Sequence, residues 1–295
     1  MKKQQIQYLL FLLVLLISMH SQAQLVNGTY VYADGNKPLN GKLKAYFSND
    51  QLAEETTLVN GLKEGENTVY YSNGKLKYKG TYKDNILNGE LTTYFPNGQI
   101  EQQGKYIKGL KDGIFKQYTA SGKLTGEHSY KNDMLNGVYN KYDKGILQLK
   151  ATYINDNLDG ELYYYHDNGK VFIKRIYKNH LKEGPEVIYT KTGVVKETAY
   201  YLHNKREGLR QVFDKNGYLK REVNYKNGIL HGEHKEYVAI EVYIQRIFRN
   251  GYQIISPNIC NADGTLVDES DVIYKSVYLP LVVKAIENFN TKEDE

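Results

Sequence analysis

KDNILNGELTTYFPNG, residues 83 to 98, holds one copy of a phrase that returns along most of the chain. One glycine, Gly89, stands five residues before an aromatic residue, Tyr94, and a second glycine, Gly98, follows. The phrase recurs every 24 residues, with one step of 23. A fixed period of this length is typical of repeat proteins. The chain has 29 tyrosines and 26 glycines among 295 residues and no tryptophan, which agrees with a repeat built on these two residue types.

Four series of residues share the period. The first glycines are Gly41, Gly65, Gly89, Gly113, Gly137, Gly160, Gly184, Gly208 and Gly232. The aromatic residues five positions later are Tyr46, Tyr70, Tyr94, Tyr118, Tyr142, Tyr165, Tyr189, Phe213 and Tyr237. The second glycines are Gly74, Gly98, Gly122, Gly145, Gly169, Gly193 and Gly217. The closing tyrosines are Tyr82, Tyr106, Tyr130, Tyr153, Tyr177, Tyr201 and Tyr225.

Each repeat is predicted to be a β-hairpin. From Gly74 to Tyr82, apolar or small residues alternate with lysine and threonine, which is the two-residue period of a strand. The preceding run ENTVYY is its partner strand. One hairpin cannot bury its apolar face alone, so neighbouring hairpins must pack side by side. The sequence therefore predicts an all-β, elongated single-sheet solenoid of stacked antiparallel hairpins.

The loops between paired strands predict one turn type. Three-residue loops such as Pro96-Asn97-Gly98 favour a type I turn closed by a left-handed glycine. A two-residue type I′ turn would force a positive φ on Thr192 in its loop. The predicted turn sets Tyr94 opposite Ile100, and we expect the aromatic and aliphatic positions to share one face.

Some positions beside the rings are predicted to be small for steric reasons. We expect Gly89 to follow a sharp chain reversal over residues 84–88, where a side chain would crowd the chain. Gly80, Gly104, Ala151 and Ala199 leave room beside the rings, whereas His128, Arg175 and Val223 break that rule.

The spacing Y-x-N-G-x-L-N-G-x-x-x-x-Y-x-x-N-G-x-L resembles the MORN repeat variant family over about residues 40–251. Tyrosine in place of tryptophan at the strand ends favours the variant class. The resemblance implies an elongated sheet of β-hairpins. Proteins of this kind are often labelled YwqK-type antitoxins of toxin–antitoxin systems, and the resemblance implies little else about function.

The N-terminus has the three parts of a secretory signal peptide. Lys2 and Lys3 precede an apolar run from Tyr8 to Ile17, and small residues precede a predicted cleavage between Ala23 and Gln24. A membrane anchor is the alternative, but ten helical residues span only about 15 Å, half of a hydrocarbon core. We expect residues 1–23 to be removed and the mature chain to be secreted or periplasmic.

The two ends of the mature chain frame the repeats. We expect the repeat array to occupy residues 25–251, and residues 252–295 to form a small C-terminal cap. That cap is predicted to hold a last degenerate hairpin and a helix running from Ser270 or Asp271 towards Phe289, interrupted by Pro280. Residues 290–295 are predicted to be disordered, and a partner-binding tail is the alternative to a cap.

The sequence predicts no catalytic, metal or cofactor site. His231 and His234 flank a glycine but lack a clear third ligand, so exposed turn histidines explain them better. No pair of carboxylates stands in a recognisable acid/base setting, and the glycines are spaced for hairpins. The lone Cys260 is predicted to be a small buried residue. Cleavage of the leader leaves 37 basic and 34 acidic residues, too weak an excess for nucleic-acid binding.

Two surfaces are candidates for binding, but for each the sequence favours a plainer role. The tyrosine ladders form the core, or else, if their rings are exposed, they bind a peptide, a strand or a glycan. The polar face carries Lys75, Lys77, Lys79, Lys105, Lys123, Lys150, Lys170, Lys174, Lys196, Lys220 and Arg221, diluted by Glu101, Glu127, Glu197 and Glu222. These basic residues contact anionic lipid or an acidic partner, or they keep the sheet soluble.

The first functional hypothesis is therefore a non-enzymatic repeat scaffold that binds a protein at the cell envelope. An antitoxin or immunity-like protein is the second hypothesis, and anionic membrane binding is the third. The partner and the oligomeric state do not follow from the sequence.

Overall fold

A computed structural model describes residues 23–26, 29–32, 37–239 and 242–267. Within these ranges every regular element is a β-strand, and none is a helix. The predicted helix and the predicted disordered end fall in residues 268–295, outside the described residues, as does the leader up to residue 22. The described ranges thus hold no helix long and apolar enough to cross a membrane.

The chain divides into two compact units after Gly137. The first unit contains β1 (Ala23–Val26), β2 (Thr29–Tyr32), β3 (Gly41–Tyr46), β4 (Leu52–Val59), β5 (Leu62–Tyr70), β6 (Leu76–Lys83), β7 (Ile86–Tyr94), β8 (Ile100–Ile107), β9 (Leu110–Lys111), β10 (Gly113–Tyr118) and β11 (Leu124–Lys131). β1 and β2 form a two-stranded sheet, and from β3 to β11 each strand pairs antiparallel with the next hairpin strand.

β12 (Met134–Asp143) spans the division between the units. The second unit continues with β13 (Ile146–Ile154), β14 (Asn157–Tyr165), β15 (Val171–Lys178), β16 (Leu181–Lys182), β17 (Gly184–Tyr189), β18 (Val195–Leu202), β19 (Lys205–Arg206), β20 (Gly208–Phe213), β21 (Leu219–Lys226), β22 (Ile229–Ala239), β23 (Val242–Arg249) and β24 (Tyr252–Asn261). Its strands pair in the same antiparallel manner, and pairing continues beyond Gly251 because β24 lies along β23. The predicted all-β array of antiparallel hairpins is confirmed.

Hairpins are joined to each other by two-residue turns that the sequence analysis did not specify. Asp84 and Asn85 have φ of 49° and 65°, and Asn179 and His180 have φ of 48° and 65°. Two successive positive φ values define a type I′ turn, whose twist matches that of the flanking strands. Asparagine, aspartate and glycine fill most of these positions because they tolerate this backbone conformation best.

Gly89 lies inside a strand and does not follow the reversal directly. The reversal is complete at Ile86, which pairs with Lys83, and Leu87 still pairs with Tyr82. Three residues of β7, centred on Gly89, then bulge opposite Thr81 alone. Gly89 has φ of 146°, and a β-carbon there would stand 2.7 Å from Cβ of Thr81. The repeat glycine is thus required by a β-bulge.

The loops within hairpins follow the predicted geometry with one exception. Gly98 has a positive φ, and its N–H donates to the carbonyl of Phe95, as a type I turn closed by a glycine requires. In the Lys144-Gly145 loop, however, both residues have positive φ, which makes it a two-residue type I′ turn. One loop residue is therefore absent, and this accounts for the single 23-residue step in the repeat.

The two tyrosine series lie on opposite faces, which corrects the prediction that they share one. Tyr94 does pair with Ile100 as predicted. Side chains alternate along a strand, however, so Tyr165 faces away from the buried Leu162 three residues earlier. Its ring stacks on Tyr163 at a centroid distance of 6.3 Å, and Lys174 lies over the ring of Tyr163. We call the face that carries Leu162 the buried face, and the opposite one the outer face.

The closing tyrosines pack into the buried face. In the first unit, Phe115 is 2% exposed. Its ring packs edge-to-face with the rings of Tyr106 and Tyr130, with centroids 5.3 Å apart in each pair. Gly104 pairs with Leu91, and a β-carbon there would lie 2.6 Å from Cγ of Phe115. The predicted small position beside the rings is therefore a steric requirement of this core.

Gly104→Ala is expected to destabilise the first unit by about 1–3 kcal/mol, because overpacking forces the Phe115 ring to move. Gly104 has an ordinary φ, so the cost is steric. Gly126→Ala is the matched control, since its β-carbon meets only the movable ends of His128 and Gln117. Urea unfolding of both variants, and of Gly104→Ala with Phe115→Leu, measures the difference. A neutral Gly104→Ala, or no recovery in the double variant, contradicts this packing.

Candidate functional site

In the second unit, each two-residue turn that joins one hairpin to the next from β15 onwards is flanked on the outer face by one basic and one apolar residue. Residues that pair directly across two antiparallel strands present their side chains on the same face. The four pairs are Lys178 with Leu181, Lys205 with Leu202, Lys226 with Ile229, and Arg249 with Tyr252. We call these eight residues the basic–apolar stripe. Successive pairs are two strands apart, or about 10 Å.

The apolar members of the stripe are open to solvent. Leu181, Leu202, Ile229 and Tyr252 are 37%, 39%, 51% and 78% exposed. The four basic residues are also exposed, and none has an ion-pair partner among the described residues. Other basic residues on the outer face are neutralised, as Lys174 is by Glu161 at 3.0 Å. The stripe is therefore a positively charged surface with unburied aliphatic side chains.

The stripe borders an open groove of about 650 Å³. The groove is lined by Tyr200, Glu207, Gly208, Leu209, Asn224, Tyr225, Lys226, His231 and Gly232. Tyr200 is 48% exposed and Leu209 is 43% exposed. A volume of this size accommodates one or more side chains of a bound segment.

Two polar side chains of the groove, Asn224 and Glu207, have hydrogen-bond partners, and His231 differs. Asn224 donates from Nδ2 to the carbonyl of Glu233 at 2.8 Å, and a carboxylate oxygen of Glu207 accepts from the N–H of Asn227 at 2.7 Å. Nδ1 of His231 is buried without a hydrogen-bond partner. In the corresponding position of another repeat, Asn88 accepts the N–H of Lys108 at 3.0 Å. His231 therefore leaves one ring nitrogen unpaired at the groove.

Arg175, which the sequence analysis left unexplained, belongs to a set of ion pairs on the buried face. It pairs with the buried Glu186, to which Lys182 lies at 3.6 Å. Arg210 makes a two-pronged contact with Glu197, with both N–O distances at 2.7 Å. Each charge in these contacts has a partner, so we assign them a structural role.

Burial acts to raise the pKa of Glu197, but the hydrogen bonds and the charge of Arg210 outweigh it and hold the pKa below its usual range. Glu197 and Arg221 therefore do not lie on the outer face with the predicted lysines. Glu197 contacts Arg210 on the buried face. Arg221 pairs with Glu236, on the same face as His234.

The predicted basic face is only partly free. Lys79 pairs with Glu66 at 2.8 Å. Lys75 and Lys170 donate from Nζ to turn carbonyls of the following repeat, at 2.7 Å from Asn97 and 2.9 Å from Thr192. These lysines therefore help to hold successive hairpins together and are poorly placed to bind a ligand.

His231 and His234 do not approach as a pair. His231 lines the groove, whereas His234 is 7% exposed on the buried face, 5.9 Å from the ring of Phe248. Among the described residues, no three histidine, cysteine or acidic side chains are grouped as metal ligands would be. Cys260 is buried, as predicted, at 1% exposure, and it is a free cysteine.

His234 is buried with both ring nitrogens lacking a hydrogen-bond partner. Burial lowers its pKa to about 4, and the charge of Arg246 acts in the same direction. The folded state therefore favours the neutral ring. This contribution is fully present above the unfolded pKa, near 6.5, and is lost as the pH falls towards 4.

Wild-type protein is expected to lose up to about 1.4 kcal/mol of unfolding free energy per pH unit from His234 between pH 6 and 4. His234→Leu removes that slope. Phe248→Leu is the control, because it disturbs the same packing without removing a titrating group. Urea unfolding at pH 7, 6, 5 and 4 provides the test, and equal slopes for wild type and His234→Leu contradict it.

The groove and the stripe were not predicted from the sequence. The signal was present on either side of four dipeptides, where one basic and one apolar residue recur: Asn179-His180, His203-Asn204, Asn227-Gly228 and Asn250-Gly251. It becomes informative only when the turn is known to be of two residues, since that places the two flanking side chains on one face.

Comparison with known proteins supports the repeat assignment. The family model described as the MORN repeat variant matches residues 63–84, 87–108, 111–132, 158–179 and 206–227. No curated protein matches the chain, so no named homologue supports the YwqK-type antitoxin description.

A similar solved structure is the crystal structure of TcdB2-TccC3, at 10% identity and a TM-score of 0.21. That match covers 77% of this chain and 17% of the other chain. At this score the likeness carries no conclusion about function.

Proposed function

We propose that the protein is a non-enzymatic repeat scaffold that binds another protein at the cell envelope through the groove and the basic–apolar stripe. The observation that carries this proposal is the row of four unpaired basic residues, each beside an exposed apolar residue, leading into the groove. The matching partner is an extended segment that alternates acidic and apolar side chains.

The physical basis is the cost of leaving this surface in water. Contiguous exposed apolar surface is unusual on a protein without a partner, and burying it on binding is favourable. The four basic residues contribute less to affinity than to selectivity, since they attract acidic partners and repel basic ones. The envelope location rests on the predicted leader and cleavage before Gln24. No feature of the groove favours an antitoxin role over general protein binding.

The test is selection of binders from a displayed peptide library on the mature chain, recovered from the envelope fraction with Gln24 as its first residue. We expect acidic–apolar peptides whose affinity falls as salt is raised. Replacing Lys205 and Lys226 by Glu and Leu209 by Asp should weaken binding more than tenfold. Equal selection of basic peptides contradicts the proposal.

The matched control makes the same three changes in the first unit, at Lys83, Lys131 and Ile86. Lys83 pairs with Ile86 across a two-residue turn, and Ile86 is 49% exposed, so the local chemistry is alike without the groove. Equal loss in the control variant contradicts a groove-specific site. Vesicles of anionic and neutral lipid form a second arm, and binding to anionic vesicles without peptide binding replaces the protein partner by a membrane.

A further inference from the structure

The residues that follow the described array are net acidic and rich in apolar side chains. Residues 268–295 contain seven acidic and three basic residues, whereas residues 138–267 contain twenty basic and fifteen acidic residues. The acidic residues of the segment stand mainly at its ends, at Asp268, Glu269, Asp271, Glu287, Glu293, Asp294 and Glu295. Between Asp271 and Glu287 lies a run rich in valine, isoleucine, leucine and tyrosine, from Val272 to Ile286.

We propose that residues 268–295 of the same chain occupy the groove and the basic–apolar stripe when no partner is bound. The inference shares the surface named under the proposed function, but it does not require that a partner exists. It identifies one occupant, an acidic–apolar segment already tethered beside the site, and makes that segment a competitor of any external ligand.

The end of the described chain lies close enough for this. Val267 donates its N–H to the carbonyl of Ile259 at 2.9 Å, so the chain leaves the array beside β24. From there to β20, which carries Leu209, there are five strand spacings, or about 24 Å. An extended chain covers about 3.3 Å per residue, so about eight of the 28 residues suffice to reach the groove. About twenty residues remain to lie along it.

The segment complements the stripe in both its apolar and its charged side chains. The apolar run meets Leu181, Leu202 and Ile229, whose exposed fractions are 37%, 39% and 51%. The acidic ends meet basic side chains that have no other ion-pair partner among the described residues. Tethering also raises the effective concentration of the segment, so that even weak contacts hold it in place.

Distance measurements between two spin labels on the full chain test the proposal. Cys260 is the one cysteine of the chain, so a Cys260→Ala background allows labels at Lys220→Cys, four residues before the groove residue Asn224 on β21, and at Ser276→Cys. A docked segment gives a narrow distribution at about 10–20 Å, two to four strand spacings. A broad distribution extending to long distances overturns the proposal.

Two double variants test whether the short distance depends on the groove itself or on any exposed apolar turn residue. Leu202→Glu with Ile229→Glu should abolish the short-distance population, because it places charge on the apolar contacts and repels the acidic ends. Ile86→Glu with Met134→Glu, at exposed apolar turn positions outside the groove, should leave it intact. Loss in both variants, or in neither, contradicts docking at the groove.

Mixing chains that each carry only one label decides whether the segment acts on its own chain. A short distance in the mixture means that the segment of a second copy binds, which overturns the proposal. A short distance confined to the doubly labelled chain supports it. Addition of a selected acidic–apolar peptide should release the segment. If no such peptide is found and the short distance persists, the proposed function fails while this inference stands.

Discussion

The structure depends on a constraint at the turns between hairpins, where each turn must be hydrogen-bonded to the hairpin before it. In these turns a backbone N–H donates to a carbonyl about 22 residues earlier, as Asn85 donates to Lys63 and Asn204 donates to Lys182. Side chains complete the link. Asn85 Oδ1 accepts the N–H of Lys63, and Asn88 Oδ1 accepts the N–H of Lys108 twenty residues later. We call this set of bonds the turn clamp.

The turn clamp explains why the repeat has its sequence. The bulge at Gly89 directs the preceding Asn88 towards the next turn, so glycine and a hydrogen-bond acceptor recur together. Asp159, Glu183 and Glu207 play the same part in the second unit. Satisfying turn amides in this way matters because unpaired backbone groups are costly when partly buried. Because each clamp joins only neighbouring hairpins, the repeat behaves as a chain of nearest-neighbour contacts.

Much of this could be predicted from the sequence, and the failures have physical causes. The strand period, the Tyr94–Ile100 register and the burial of Cys260 follow from local pattern alone. The face of Tyr94 was mispredicted because a bulge in the partner strand lets residues of opposite alternation pair. The groove was missed because it depends on which turns have two residues, and Lys144-Gly145 shows that loop types vary within the repeat.

The same turns that hold the hairpins together also create the candidate binding surface. A two-residue turn leaves its flanking residues paired on one face, and at the four turns of the basic–apolar stripe these are a basic and an apolar residue. The first unit has the same turn geometry, but its flanking residues vary: Lys83 pairs with Ile86, whereas Ile107 pairs with Leu110. Architecture and binding chemistry are therefore set at neighbouring positions of one repeat, which lets the surface change without altering the fold.

Amide hydrogen exchange at the turn residues is the most direct measurement of the turn clamp. The N–H of Lys108 and the N–H of Asn227 both lie at exposed turns, yet each donates to an acceptor side chain of the preceding hairpin. The account predicts slow exchange at both in the wild type. It also predicts that Asn88→Ala removes protection at Lys108 alone. Exchange of both amides at the rate of an unstructured chain, or protection at Lys108 that survives Asn88→Ala, would contradict it.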